Sequence, residues 1–115
     1  MSKSTQAAKG DTVSFSQSET VDSLAAVLKV LADPTRIRLI ATLESSGRRT
    51  ASSLSADVPG SQQGISHHLG VLHQAGVVSR SRDGLWVWYE LCDWTGAWIL
   101  RQLAAGLAEA GLERA

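Results

Sequence analysis

The segment from Ser61 to Leu91, SQQGISHHLGVLHQAGVVSRSRDGLWVWYEL, constrains the fold more than any other part of the chain. Ile65, Leu69 and Leu72 recur at helical spacing. Ser61 is therefore expected to cap a helix running to about Ala75, with Gly76 in the position of a helix-terminating glycine. Straight after it, Val77 to Ser81 and Leu85 to Leu91 alternate like strands around Arg82-Asp83-Gly84. An Asp-Gly pair between two such runs is a strong hairpin signal. A helix with a polar outer face that feeds directly into a tight hairpin fits few architectures.

The preceding residues supply the rest of a small helical domain. Val21, Leu24, Ala25, Leu28 and Leu31 recur at three- and four-residue spacing, one face of a helix with Thr20 as its N-cap. Asp33-Pro34 ends that helix and starts the next, because proline disfavours helix in the residue before it and suits the first turn after it. Ile37, Ile40, Ala41 and Leu43 are the expected buried face of the second helix. Ser45, Ser46 and Gly47 close it. Thr50 to Val58 reads as a short third helix with Ala51 and Leu54 inward, and Pro59-Gly60 as a turn. The last helix is expected from Trp94 to about Ala110. Its Trp94, Ala97, Trp98, Leu100, Leu103, Ala104 and Leu107 cover more than one face, so a second protomer is expected on one of them. Residues 1–19 are rich in Ser, Thr, Gln and Lys and read as a flexible arm before a domain spanning 20–112.

The expected fold is mainly α with a small β-hairpin, in the order α-α-α-α-β-β-α. Two short helices joined by a tight glycine-containing turn make a helix-turn-helix, and the hairpin that follows is its wing. The polar face of residues 62–74 would then lie in a major groove of double-stranded DNA, with the Arg-Asp-Gly tip alongside the duplex.

Composition narrows the alternatives. With 115 residues the chain is expected to form one domain. Its 11 basic and 11 acidic residues give zero formal net charge, which argues against a non-specific polyanion binder without excluding a local basic patch. The single cysteine, Cys92, rules out a disulfide within the chain and suggests a reducing, cytoplasmic setting. No apolar run is long enough to span a membrane, and the N-terminus has no apolar core of a secretory signal. No paired carboxylates, Ser-His-Asp set or phosphate loop can be assembled, so an enzyme is not expected.

LADPTRIRLIATL, followed by SQQGISHHLGVLHQAGVVSRSRDGLWVWYEL, resembles the ArsR/SmtB family of bacterial winged-helix repressors. The resemblance covers roughly Leu24 to Ala110. It is carried by the Asp-Pro-Thr-Arg start of the second helix, by Ser-His-His-Leu with Val-Leu following, and by Ala-Gly-Val-Val leading into the hairpin. It implies a homodimer paired through the first and last helices, here with Val21, Leu24, Leu28, Trp94, Trp98, Leu103 and Leu107 at the interface. It also implies a palindromic operator that is released when a metal ion or other inducer binds.

On this reading Ser61, Gln62, Gln63, Ser66 and His67 meet base edges from the N-terminal half of the recognition helix. Gln suits adenine in a bidentate way and Ser tolerates several bases. His68, Arg80 and Arg82 are better placed as phosphate donors, and Arg48 and Arg49 are candidates to add to them. The plainer alternatives are a solvated helix start for Gln62 and Gln63, a packing histidine for His68, and a simple turn residue for Arg82. Gly70 and Leu85 depart from the family pattern, where Lys or Arg is common, and both remove phosphate-neutralising charge.

A metal site is not expected within the chain. Thr50 and Ser52 stand where relatives carry a Cys-x-Cys pair, and hydroxyls are poor ligands for soft metals. The last helix has no histidine. His67, His68 and His73 share the recognition helix, and none are four residues apart. Cys92, expected as a small buried hydrophobe, and Asp93 are the weak candidates that remain. A response to nickel or zinc would then depend on a metal-binding co-regulator protein; another inducer or oxidation of Cys92 are the alternatives. The rival reading of the whole chain is a winged-helix protein-interaction module that has lost DNA binding.

Overall fold

The computed structural model describes residues 17–92 and 96–111. Five helices and a three-stranded sheet follow one another as α1 (Ser18–Leu31), α2 (Pro34–Ser46), β1 (Arg49–Thr50), α3 (Ala51–Asp57), α4 (Gln62–Gln74), β2 (Val78–Asp83), β3 (Trp86–Leu91) and α5 (Gly96–Ala110). The expected order is found, with one added strand. The proposed arm lies almost wholly outside the described residues.

Helix α1 begins two residues before the expected cap. Gln17 is its N-cap without a side-chain bond, and Glu19 sits in the first turn, where a negative charge complements the helix dipole. At α2 the sequence signal is met closely. Asp33 accepts hydrogen bonds from the amides of Thr35 (2.9 Å) and Arg36 (3.2 Å), with Pro34 in the first turn. The buried face of α2 is Leu39, Ile40 and Leu43. Ile37 and Ala41, expected inside, are exposed. The helix is rotated so that Leu39 takes the core position, and the stripe through Ile37 is left towards solvent.

Strand β1 is the added element. Two residues are too few to show a period, yet Arg49 pairs with Tyr89 and Thr50 with Trp88, which adds β1 to the hairpin in the order β1-β3-β2. Thr50 then serves as N-cap of α3, accepting from the Ser53 amide at 3.2 Å. Helix α4 starts and stops as expected. The Ser61 hydroxyl accepts from the Gly64 amide at 3.0 Å. At the far end Gly76 takes φ 78, its amide bonds the His73 carbonyl, and the Val77 amide bonds the Leu72 carbonyl. These are the two bonds of a Schellman stop, and the positive φ explains the glycine.

The hairpin is longer and tighter than expected. Asp83 pairs with Trp86, so Arg82 and Asp83 belong to β2 and the turn is only Gly84-Leu85. Gly84 has φ 64 while no described non-glycine residue has a positive φ, the pattern of a type II′ turn with glycine at its first central position.

The core sits between α2, α3, α4 and the sheet. Leu39, Leu54, Leu69, Leu72 and Val77 are fully buried, and Ile40, Ile65 and Val78 nearly so. Helices α1 and α5 are attached at one end only. Leu31 is the one buried residue of α1, and Gly96 and Ala97 are those of α5. A Cβ on Gly96 would stand 2.8 Å from a Leu31 methyl, so glycine lets the two helices cross there. From Arg101 to Ala110 every residue of α5 is exposed. Asp93 and Trp94 lie outside the described residues, as does the expected start of the last helix at Trp94.

Candidate nucleic-acid interface

The polar face of α4 is set by the burial of its apolar face. With Ile65, Leu69 and Leu72 fixed in the core, Gln62, Gln63, Ser66 and His67 are all exposed. Ser61 is also exposed. Its oxygen accepts from the Gly64 amide, which leaves the hydroxyl proton free to donate outward.

The register of the hairpin places the two wing arginines. Arg80 pairs with Tyr89 and Arg82 with Val87, while Val78, at the base of the same face, is buried. Alternation therefore puts Arg80 and Arg82 on the sheet face that turns towards α4. Near the base that face is core; further out it overhangs solvent. A cleft of about 720 Å³ results, lined on one side by Gln62 and Ser66 and on the other by Arg80, Arg82, Val87 and Tyr89. Thr50 and Ser52 close one end, and Leu85 and Trp86 stand at the wing tip. Both arginines are exposed, and neither has an ion pair among the described residues. Their charge is available to a ligand in the cleft.

His68 has a different role from its neighbours. It is half-buried, and its Nδ1 lies 3.1 Å from the Arg36 guanidinium. Arg36 can only donate, so Nδ1 accepts and the neutral ring carries its proton on Nε2. Arg36 also donates to the Val30 carbonyl at 2.6 Å. One arginine of the Asp-Pro-Thr-Arg segment thus ties the end of α1 to the middle of α4. The packing reading of His68 fits this better than the phosphate reading, although Nε2 remains a donor. Sequence reasoning missed Arg36 because nothing in the local pattern announces a partner 32 residues away. His67 lies edge-on to His68, with ring centroids 5.6 Å apart.

The arginines before α3 are committed elsewhere. Arg49 bonds the Ser53 hydroxyl and carbonyl and forms an ion pair with Asp57 at 2.6 Å. It holds the start of α3 and has little charge left for phosphate. Arg48 lies over the ring of Trp88, 4.3 Å from its centroid. Trp88 is on the sheet face opposite Tyr89 and does not line the cleft. Its indole N–H is buried without a partner among the described residues.

Cys92 is half-buried rather than fully buried, with a free thiol. Among the described residues no three His, Cys, Asp or Glu side chains come together as metal ligands. Thr50 and Ser52 face each other at 3.4 Å between hydroxyls and serve the start of α3. No helix among the described residues is long and apolar enough to cross a membrane.

Comparison with known proteins agrees with this geometry. Residues 31–80 match a family model described as a helix-turn-helix domain. The transcriptional repressor SdpR of Bacillus subtilis is 42% identical over 65 residues, covering 56% of this chain and 71% of that protein. The arsenic resistance transcriptional regulator ArsR1 of Pseudomonas putida is 34% identical over 87 residues, or 76% of this chain and 67% of the relative. The crystal structure of Mycobacterium tuberculosis Rv0081 superposes with a TM-score of 0.71 at 33% identity, covering 79% of this chain and 91% of that one. With a helix-turn-helix, a wing and relatives of this kind, the chain belongs to the ArsR/SmtB family of winged helix-turn-helix transcriptional regulators, a family of DNA-binding proteins and not of enzymes.

Proposed function

We propose that the protein represses transcription as a homodimer on a palindromic operator, with α4 in the major groove and the wing beside it. One observation supports this most. The exposed polar start of α4 and two unpaired arginines of the wing face a common cleft. In this reading Gln62, Gln63, Ser66 and His67 read base edges, while Ser61, Arg80 and Arg82 hold the phosphate strand that passes through the cleft. His68 orients α4 through Arg36. Two-fold symmetry of the protein requires two-fold symmetry of the site, hence the palindrome.

The test is binding of the full chain to duplexes selected from a random library. Gln63→Ala is expected to weaken the selected site by roughly 1–3 kcal/mol and relax one position. Arg82→Ala is expected to weaken all sequences alike and flatten the salt dependence by about one unit. Unchanged sequence preference in Gln63→Ala would show that another face of α4 meets the bases.

A further inference from the structure

The wing tip is the most exposed apolar feature among the described residues. Leu85 is 92% exposed and Trp86 61%. The chemistry of this tip is unlike that of a phosphate clamp. Leu85 occupies the second turn position and offers no side-chain donor. Trp86 is paired with Asp83, whose carboxylate would be repelled by phosphate. The cations lie further back, with Arg82 opposite Val87 and Arg80 opposite Tyr89. From base to tip the wing therefore runs from positive to apolar.

Duplex geometry gives that order a meaning. Leu85 and Trp86 stand at the mouth of the cleft lined by Gln62, Ser66, Arg80 and Arg82; Leu85, in the turn, continues the proposed DNA face, while the register puts Trp86 on the other side of the tip, with Asp83 and Trp88. If α4 occupies a major groove, the strand bordering that groove lies in the cleft against Arg80 and Arg82. The next groove beyond that strand is the minor groove, and the tip is what reaches it. Its walls are deoxyribose C–H surface, which offers an apolar side chain more than phosphate does. Apolar wedges in minor grooves act by partly unstacking a base step and bending the duplex.

We propose that Leu85 and Trp86 enter the minor groove flanking the site read by α4, and that Leu85 acts there as an apolar wedge favouring deformable steps. The inference rests on the DNA-binding reading above. It makes the wing a reader of shape: pyrimidine–purine steps such as TA and CA/TG unstack most easily and are preferred at the wing position. Binding at the tip involves no cation, so it contributes affinity without adding to the salt dependence.

The experiment uses the full chain and a duplex selected from a random library, probed with dimethyl sulfate and by circular-permutation electrophoresis. Three results are expected. Guanine N7 is protected where α4 binds and adenine N3 where the wing binds. Leu85→Ala loses the adenine N3 protection and about tenfold in affinity, with the salt slope unchanged. Leu85→Arg steepens the salt slope by about 0.9 and reduces the bend. Leu85 is almost fully exposed, so these variants are expected to keep the wild-type melting curve. Intact adenine N3 protection, bend and affinity in Leu85→Ala, with guanine N7 still protected, would overturn the wedge and leave DNA binding standing. Failure to select any duplex would overturn the DNA-binding reading and the wedge with it.

Discussion

Asp33 and Arg36 hold together the junction of α1, α2 and α4. The Asp33 carboxylate is held below its usual range, chiefly because the Arg36 amide bonds it, with the Arg36 charge and the Thr35 amide adding to the effect. A carboxylate depressed in the folded state stabilises above its unfolded pKa, and that contribution is lost as pH falls through the folded value. Thermal stability is therefore expected to fall on acidification through and below the ordinary carboxylate range. Asp33→Asn, which keeps a capping oxygen, should melt with a shallower acid dependence when circular dichroism is followed from pH 7 downward. Arg36 is tested separately. Arg36→Ala removes the bonds to Val30 and His68 and leaves a partly buried carbonyl without its donor. We expect a loss of about 1–3 kcal/mol in urea unfolding and weaker operator binding, because α4 is no longer tied to α1 and α2. Unchanged operator affinity in Arg36→Ala would mean that core packing alone orients α4.

At the scale of elements, the chain is legible where signals are local and opaque where they are not. The Asp33 cap, the Ser61 cap and the Gly76 stop each depend on residues within about four positions and stand where the sequence places them, and the hairpin signal is met with its turn shifted to Gly84-Leu85. Strand β1 is invisible because two residues carry no period, and its partner β3 lies some forty residues on. The rotation of α2 is hidden for a related reason. Two overlapping apolar stripes run along it, and only the position of α4 and the sheet decides between them. The candidate interface was legible as a face of α4, whereas the cleft required the strand register that turns Arg80 and Arg82 towards it. Gly70 offers a test at this scale. It lies one turn beyond Ser66 and His67, and a Cβ there would meet nothing within 4 Å. Gly70→Ala is expected to stabilise the protein by about 0.5–1 kcal/mol through helix propensity alone. Gly70→Lys should raise DNA affinity and steepen the salt slope by about one unit. No change in slope would place Gly70 away from the phosphates.

At the scale of the whole molecule, the described residues leave apolar side chains of two helices uncovered. Val21, Leu24 and Leu28 on α1 and Trp98, Leu103 and Leu107 on α5 are between 40% and 58% exposed. An outer stretch of α5 with every residue exposed is shorter than an isolated helix needs to persist in water. In the proposed homodimer a second copy covers both helices, so sedimentation should show a dimer that Leu103→Asp dissociates with loss of helix content. A well-folded monomer at micromolar concentration would count against it. The same architecture bears on sensing. Metal can control operator affinity only if it binds the free and DNA-bound forms differently, which calls for a site tied to the dimer or to α4. Zinc needs about four ligands and nickel up to six, drawn from thiolate, imidazole and carboxylate. In this chain His67 lies on the exposed face of α4 proposed to meet DNA, His68 is occupied at Nδ1 by Arg36, and Cys92 has no ligand cluster around it among the described residues. Metal on His67 would block the groove directly instead of shifting a dimer equilibrium. We therefore expect calorimetry with nickel or zinc to give dissociation constants of tens of micromolar or weaker, about 6 kcal/mol. Operator affinity should respond to metal only when a metal-binding partner protein is added. A stoichiometric sub-micromolar site whose filling shifts operator affinity tenfold would overturn this, and Cys92 together with Asp93 and the N-terminal residues would be the first ligands to replace.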